Sequence, residues 1–351
     1  MNDMQRSASL KFGTTIDFVP PIEAIRLGVR CEKLGFDSLW AVDHLIDTGG
    51  TKVEPWTTIS AIGVQTSRIQ FATAVTDTQR MHPARTAHTV ATLSEITNGR
   101  VSLGIGAGEA MNIVPFGLPF DPPKVRAERL GEAIQVIRLL WGSSRSNPVS
   151  FEGKHFHLKN AWLDIKTRFN PKIIVGALGG MNGLRIAGEF GDGWLPWVNT
   201  PETYGKRLKL VENFRVGSKT ARKDFEPIAW AFLSLAEDGP ILHEAISNVK
   251  KALLAEIHTL RFMGFKPPQE LVPYQQLIVE DRADQLINAA ENSLSDDLAL
   301  QFLVSGSPSN IIERIDQYRK AGAKQIVMEF QERGDEPLEK FAKSILPAFR
   351  S

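Results

Sequence analysis

Carboxylates, a histidine and two glycine-rich segments stand where apolar runs of this chain end. Asp17 closes the run 10–18, and Asp43-His44 follows the run 37–42. Ala74-Val75-Thr76-Asp77 ends a third run, 69–75. A fourth, 101–105, leads into Gly104-Ile105-Gly106-Ala107-Gly108-Glu109-Ala110-Met111-Asn112, and a fifth, 173–177, ends in Ala177 ahead of Gly179-Gly180. A histidine between acids is a general acid–base set, because neighbouring charges push such pKa values apart. Glycines ahead of a helix leave N–H groups free to hold a phosphate. Each residue alone has a plainer reading: Asp17 as a helix cap, Asp43-His44 as a hydrogen-bonded loop pair, the glycines as room for a tight turn. Their joint placement at successive run ends is what points to one pocket.

Other chemistries find little support. The segment Gly104 to Glu109 reads G-x-G-x-G-E, not the G-x-G-x-x-G dinucleotide fingerprint, and it follows the fourth run rather than the first. No G-x-S-x-G nucleophile elbow occurs. Cys31 is the single cysteine, so no internal disulfide or cysteine zinc site can form, and its amphipathic surroundings suggest a buried structural thiol. His155 and His157 alternate and would share a strand face, but no third metal ligand is near in sequence.

The elements that must position these residues alternate. Helical spacing is expected over 21–34, 56–66, 83–96, 124–141, 183–190, 204–216, 242–262, 309–319 and 336–348. Ser307 and Pro308 supply the start of the helix 309–319. Strands are expected over 10–18, 37–42, 69–75, 101–105, 173–177, 194–197, 228–235 and 324–330. Two stretches break the rhythm and read as insertions: 142–170, with a hairpin around Phe151 to Phe156, and 266–300. Eight strands alternating with helices and no linker imply an α/β fold, a (β/α)8 TIM barrel with insertions, forming one domain over 1–351. The competing architecture is a doubly wound open sheet. Barrel active sites lie at the C-terminal strand ends, where the chemistry-bearing residues fall.

The 351 residues include 41 basic and 40 acidic side chains, and nothing in that balance argues for a nucleic-acid partner. No apolar run is long enough for a membrane span, and no leader pattern is visible, so a cytoplasmic protein is expected.

At Asp43-His44 and at GAGEAMN, Gly106 to Asn112, the chain resembles the luciferase-like superfamily and, within it, enzymes that use coenzyme F-420, a deazaflavin. GAGEAMN is similar to the matching segment of F-420-dependent secondary alcohol and glucose-6-phosphate dehydrogenases. Glu54 to Thr57, Val75 to Asp77, His82 to Ala84 and Leu103 to Gly106 look like the phthiodiolone ketoreductase branch, and Phe18-Val19-Pro20 is similar to methylenetetrahydromethanopterin reductase. The resemblance implies the luciferase-like barrel and a hydride transfer on a carbonyl, alcohol or methylene-pterin substrate. It implies a homodimer acting on a small molecule. It places Asp43 and His44 at the deazaflavin ring and Ala74-Val75 at a non-prolyl cis peptide backing that ring. Gly108, Glu109 and Asn112 would lie by the ring, Ala177 would contact the cofactor, and Gly179 and Gly180 would bind its phosphate. His44, Glu109 and Asp17 are the implied catalytic groups. The chain lacks the tryptophan that the alcohol and sugar enzymes carry after Asp-His, reading Leu45-Ile46-Asp47-Thr48-Gly49 instead. The alternatives are an FMN-dependent monooxygenase on the same fold and a non-catalytic flavin-binding relative.

Overall fold

A computed structural model describes residues 9–17, 19–47, 50–266, 288 and 292–350. Most of the second expected insertion, 266–300, lies outside the described residues, as do Phe18, Thr48 and Gly49.

Eight parallel strand positions close into a barrel. They are β1 (Lys11–Thr15), β2 (Ser38–Ala41), β3 (Gln70–Thr73) continued by β4 (Thr76–Asp77), β5 (Val101–Gly106), β8 (Ile173–Gly176), β9 (Gly193–Leu195), β10 (Glu226–Leu233) and β12 (Gln325–Phe330). Each pairs with the next, and β12 returns to β1 with Phe12 opposite Ile326. An open doubly wound sheet is thereby excluded. A two-residue strand, β11 (Leu303–Val304), adds to β10 beyond the point where β9 pairs with it. The first expected insertion is present as an antiparallel hairpin, β6 (Val149–Glu152) and β7 (His157–Ala161). Glu132 of α4 (Pro123–Trp141) accepts the backbone N–H groups of Lys154, His155 and Phe156 at 2.8–3.1 Å and so fixes the hairpin turn.

Strand alternation separates two cores. On β2, Leu39 and Ala41 face the helices while Trp40, and Val42 just past the strand, face the barrel axis. On β12, Ile326, Met328 and Phe330 pack outward and Val327 inward, so Glu329 also points inward at the C-terminal end. Trp40, Ile174, Ile228, Trp230 and Val327 pack together inside the barrel.

The helices begin where local chemistry permits. Proline opens α1 (Pro21–Leu34), α2 (Pro55–Gly63), α3 (Pro83–Ile96), α4 and α6 (Pro201–Val216), where its missing N–H costs nothing. Glu54 caps α2 through the N–H groups of Trp56 and Thr57, and His82 caps α3 through that of Ala84. The expected helix 242–262 is divided into α7 (Gly239–Ala255) and α8 (Ile257–Phe262), because Glu256 leaves helical geometry at φ −110°, ψ 64°. After α9 (Asp296–Leu300) and β11, α10 (Pro308–Lys320) is capped by Ser307, and α11 (Asp335–Ser344) ends the circuit.

Candidate active site

His44 is the best-defined group at the barrel mouth. It lies past the end of β2, its side chain mostly enclosed. Its Nδ1 is 2.9 Å from Asp47 Oδ2 and its Nε2 is 3.0 Å from Glu109 Oε2. Burial alone would lower its pKa, but the charge of Glu109 and the hydrogen bonds of Asp47 and Glu109 outweigh it, and the value rises to about 9. With an acceptor carboxylate at each nitrogen, the ring carries both protons at neutral pH. Lys52, also enclosed, stands 3.5 Å from the same Asp47 oxygen.

Asp17 lies buried at the end of β1. It does not cap the following helix: α1 starts after Pro20 with no side-chain cap. Its carboxylate instead accepts the Val42 N–H at 3.3 and 3.4 Å, tying β1 to β2. Burial raises its pKa to about 6, against the opposing charge of Lys52. Glu329 faces it from β12 and accepts the indole N–H of Trp230 at 2.7 Å and that of Trp197 at 3.5 Å. Burial raises the pKa of Glu329 too, with Lys52 and Arg333 pulling the other way.

Asp43 is held from two sides. Thr76 donates its hydroxyl to one oxygen, and Arg80 lies 3.1 Å from the other while donating to the Asp43 carbonyl at 2.7 Å. Burial raises the Asp43 pKa in spite of Arg80. Asn112 Oδ1 accepts the N–H groups of Leu45 and Ile46, at 2.7 and 3.0 Å. It therefore fastens the loop that carries His44 and Asp47. Gly108 takes φ +86°, and Arg126 donates to its carbonyl at 2.6 Å.

The Ala74–Val75 peptide is cis, as expected. The glycines around it make room. A β-carbon at Gly104 would overlap the Thr73 carbonyl oxygen, and one at Gly106 or Gly176 would come within 2.7 Å of Val75 Cγ2. The G-x-G pattern on β5 is thus a steric accommodation of the neighbouring bulge. Across the mouth, Ala177 accepts the Trp194 indole N–H at 3.0 Å. Gly179 and Gly180 lead into α5 (Met181–Phe190), whose first turn has no side-chain cap and opens to solvent.

The closed barrel therefore brings together Asp17, Asp43, His44, Ala74, Val75 and Glu109. Asp47, Lys52, Arg80, Glu329 and the two tryptophans were not singled out from the sequence. His155 and His157 do not share a face: His155 lies in the hairpin turn 3.7 Å from Glu128, and His157 is exposed beside Glu152. Among the described residues no group of three candidate ligands could hold a metal ion. Cys31 is buried, and burial pushes its thiol up to about 12, so it is inert as a nucleophile.

A parallel (β/α)8 barrel with acid–base groups gathered at the C-terminal ends of its strands defines a barrel enzyme. The chain belongs to the luciferase-like monooxygenase family, whose model matches residues 6–325. It is 30% identical over 342 residues to an F420-dependent glucose-6-phosphate dehydrogenase of Microbacterium testaceum, covering 94% of each chain. It is 28% identical over 333 residues to the 5,10-methylenetetrahydromethanopterin reductase of Archaeoglobus fulgidus, covering 91% of this chain and 92% of that one. Its fold matches that of an F420-dependent secondary alcohol dehydrogenase solved with an F420-acetone adduct. There the TM-score is 0.82 at 24% identity, covering 98% of this chain and 100% of the other.

Proposed function

We propose that this chain is an oxidoreductase that uses coenzyme F-420 and moves a hydride between the deazaflavin and the carbonyl carbon of a small ketone, or the matching alcohol. The observation that carries the reading is His44 at the barrel mouth, with Asp47 Oδ2 2.9 Å from its Nδ1 and Glu109 Oε2 3.0 Å from its Nε2. When bound, the deazaflavin supplies or accepts the hydride. Reducing a carbonyl also needs a proton on oxygen, and His44 Nε2–H is the enclosed donor for it. Such a donor is worth ~10²–10⁴ in rate. Asp47 fixes the ring and keeps Nδ1 protonated, while Asn112 holds the loop that carries both. A methylene-pterin needs no proton at its reacting carbon, so there Asp17 or Glu109 would act by stabilising a cation.

The residues present fit the cofactor. The Ala74–Val75 bulge would back the ring, with Asp43, Gly108 and Glu109 around it. Gly179 and Gly180 would present backbone to the phosphate at the start of α5, a helix end that favours an anion, with Ala177 beneath them. The relatives described above support F-420 over FMN. The resemblance supports a homodimer, with residues 1–351 as one catalytic unit. No helix among the described residues is long and apolar enough to cross a membrane.

Titration of purified protein with F-420 and with FMN tests the cofactor, and the expected result is tighter binding of F-420. Tight FMN binding without F-420 binding would overturn it. Turnover of ketone, alcohol and methylene-pterin candidates by His44→Ala, Asp17→Ala and Glu109→Ala then sorts the substrate class. A mild effect of His44→Ala beside severe losses in the other two would favour the pterin.

A further inference from the structure

Lys52 carries an enclosed ammonium: its side chain is 4% exposed, and its Nζ lies 3.5 Å from Asp47 Oδ2. Lysine is seldom buried, because its charge loses hydration that only nearby acceptors and carboxylates can replace. Local structure holds it in place. Val53 beside it is 2% exposed, and Glu54 caps α2 through the N–H groups of Trp56 and Thr57, so the chain is fixed on the C-terminal side of the lysine. On the other side, Asn112 fixes the approach to Asp47 by accepting the N–H groups of Leu45 and Ile46.

The same Asp47 oxygen lies 2.9 Å from His44 Nδ1. One carboxylate oxygen thus faces two cations, the imidazolium and the ammonium, and serves neither alone. Lys52 also acts on two carboxylates from other strands, Asp17 of β1 and Glu329 of β12. Burial pushes the pKa of each upward, and the strongest influence against it, on both, is the charge of Lys52. The remaining charges at these groups are Glu109, 3.0 Å from His44 Nε2, and Arg333, which meets Glu329, Asp17 and Glu244. His44 and Glu329 act on Asp17 as well. Lys52 is therefore common to three carboxylates, drawn from β1, the loop after β2, and β12.

We propose that Lys52 is a positioning residue that acts on this site by its charge: it favours the ionised forms of Asp17 and Glu329 and competes with His44 for the Asp47 carboxylate. The inference rests on the acid–base reading of His44 given above and holds for either substrate class. Without the ammonium, Asp17, Asp47, Glu109 and Glu329 would crowd one imidazolium with negative charge. Asp17 and Glu329 would then take up protons at higher pH, and His44 would part with its own less readily. With the ammonium in place, the carboxylates stay charged and the histidine carries the proton that moves.

The test reads protonation directly, on the full chain without cofactor, and so does not depend on turnover. NMR of ring-labelled histidine follows His44, and NMR of carboxyl-labelled aspartate follows Asp17. His44→Asn and Asp17→Asn identify the two signals. Lys52→Met keeps an unbranched side chain of similar length and removes the charge. In it both midpoints should move up by about 1 on the pH scale, from about 9 for His44 and about 6 for Asp17. Lys52→Arg, which restores the charge, should bring both most of the way back. Unmoved midpoints would overturn the proposal and leave Lys52 a packing residue, whatever happens to Tm. A His44 midpoint that falls would also overturn it, because the ammonium would then be holding Asp47 against the ring. If Lys52→Met does not fold, the same titrations on Lys52→Gln decide, since it too lacks the charge and can still donate to Asp47. Failure of both neutral variants to fold would overturn the proposal in favour of a structural ion pair. In the ketone assay, the alkaline limb of kcat should follow the His44 midpoint upward in Lys52→Met. A limb that stays while the midpoint moves would count against His44 as the donor, and would still bear out the role of Lys52.

Discussion

His44 can give up a proton only while it holds two, and its neighbours set how far up the pH scale that lasts. Glu109 and Asp47 raise its pKa to about 9 against the effect of burial. The rate of carbonyl reduction should therefore be flat through neutral pH and fall as pH rises through about 9. Glu109→Gln removes the charge from Nε2, so that limb should move toward the ordinary histidine value near pH 6.5. A pH–rate profile of kcat for the two proteins checks this, and an unmoved limb would mean another group titrates there. His44→Ala should lower kcat by ~10²-fold or more and leave F-420 affinity within a few-fold. If affinity falls while kcat holds, His44 packs against the ring and donates nothing. The sequence placed His44 and Glu109 at run ends, which is why they could be found. Asp47 and Lys52 lie in a loop without periodicity, and only the fold shows that they turn back to the histidine. Glu329 was open to the same strand-end reasoning as Asp17, since it closes the run 324–330.

At the scale of elements, the sequence was most legible in the long helices: Pro21–Leu34 and Pro83–Ile96 were read to the residue, while those opening at Pro55, Pro123 and Pro201 were read one to three residues late. It was least legible where an element is two residues long, as in β4 and β11, since alternation needs more length to show. The break at Glu256 left no breaker residue to see. The glycines of β5, which do not spell the dinucleotide fingerprint, and Gly176 of β8 serve packing, which yields a graded prediction. Gly104→Ala puts a methyl into the Thr73 carbonyl, where backbone must shift, and should destabilise by more than the 1–3 kcal/mol usual for overpacking. Gly176→Ala meets a methyl of Val75 instead. It should cost about 1–3 kcal/mol and displace the bulge that is proposed to back the ring, weakening F-420 binding. Thermal unfolding paired with deazaflavin titration separates the two. Equal losses of stability, with cofactor affinity untouched in Gly176→Ala, would contradict this account of the glycines.

Across the whole molecule, barrel closure carries charges from residue 17 to residue 329 into one mouth, and the fold holds protons there that an open chain would release. His44 and Asp17 both have raised values, about 9 and about 6, and Glu329 is shifted the same way. A group with a raised value in the folded state binds its proton more tightly there, so its contribution is complete below the unfolded value and is lost as pH rises through the folded one. For Asp17 that window runs from the ordinary 3.8 to about 6. For His44 it runs from 6.5 to about 9, and a shift of that size corresponds to on the order of 3 kcal/mol. Between pH 7 and pH 9.5 His44 titrates, while Asp17 is already ionised. The cofactor-free protein should lose Tm across that interval, by on the order of 5 °C for a chain of this length. His44→Asn has no proton to lose there, so its Tm should start lower at pH 7 and change less on going up. Scanning calorimetry of both proteins at several pH values is the measurement. Parallel curves would assign the alkaline loss to groups elsewhere. A wild-type curve that rises toward pH 9.5 would mean that Glu109 and Asp47 do not hold the ring charged, and the proton donor proposed for catalysis would go with it.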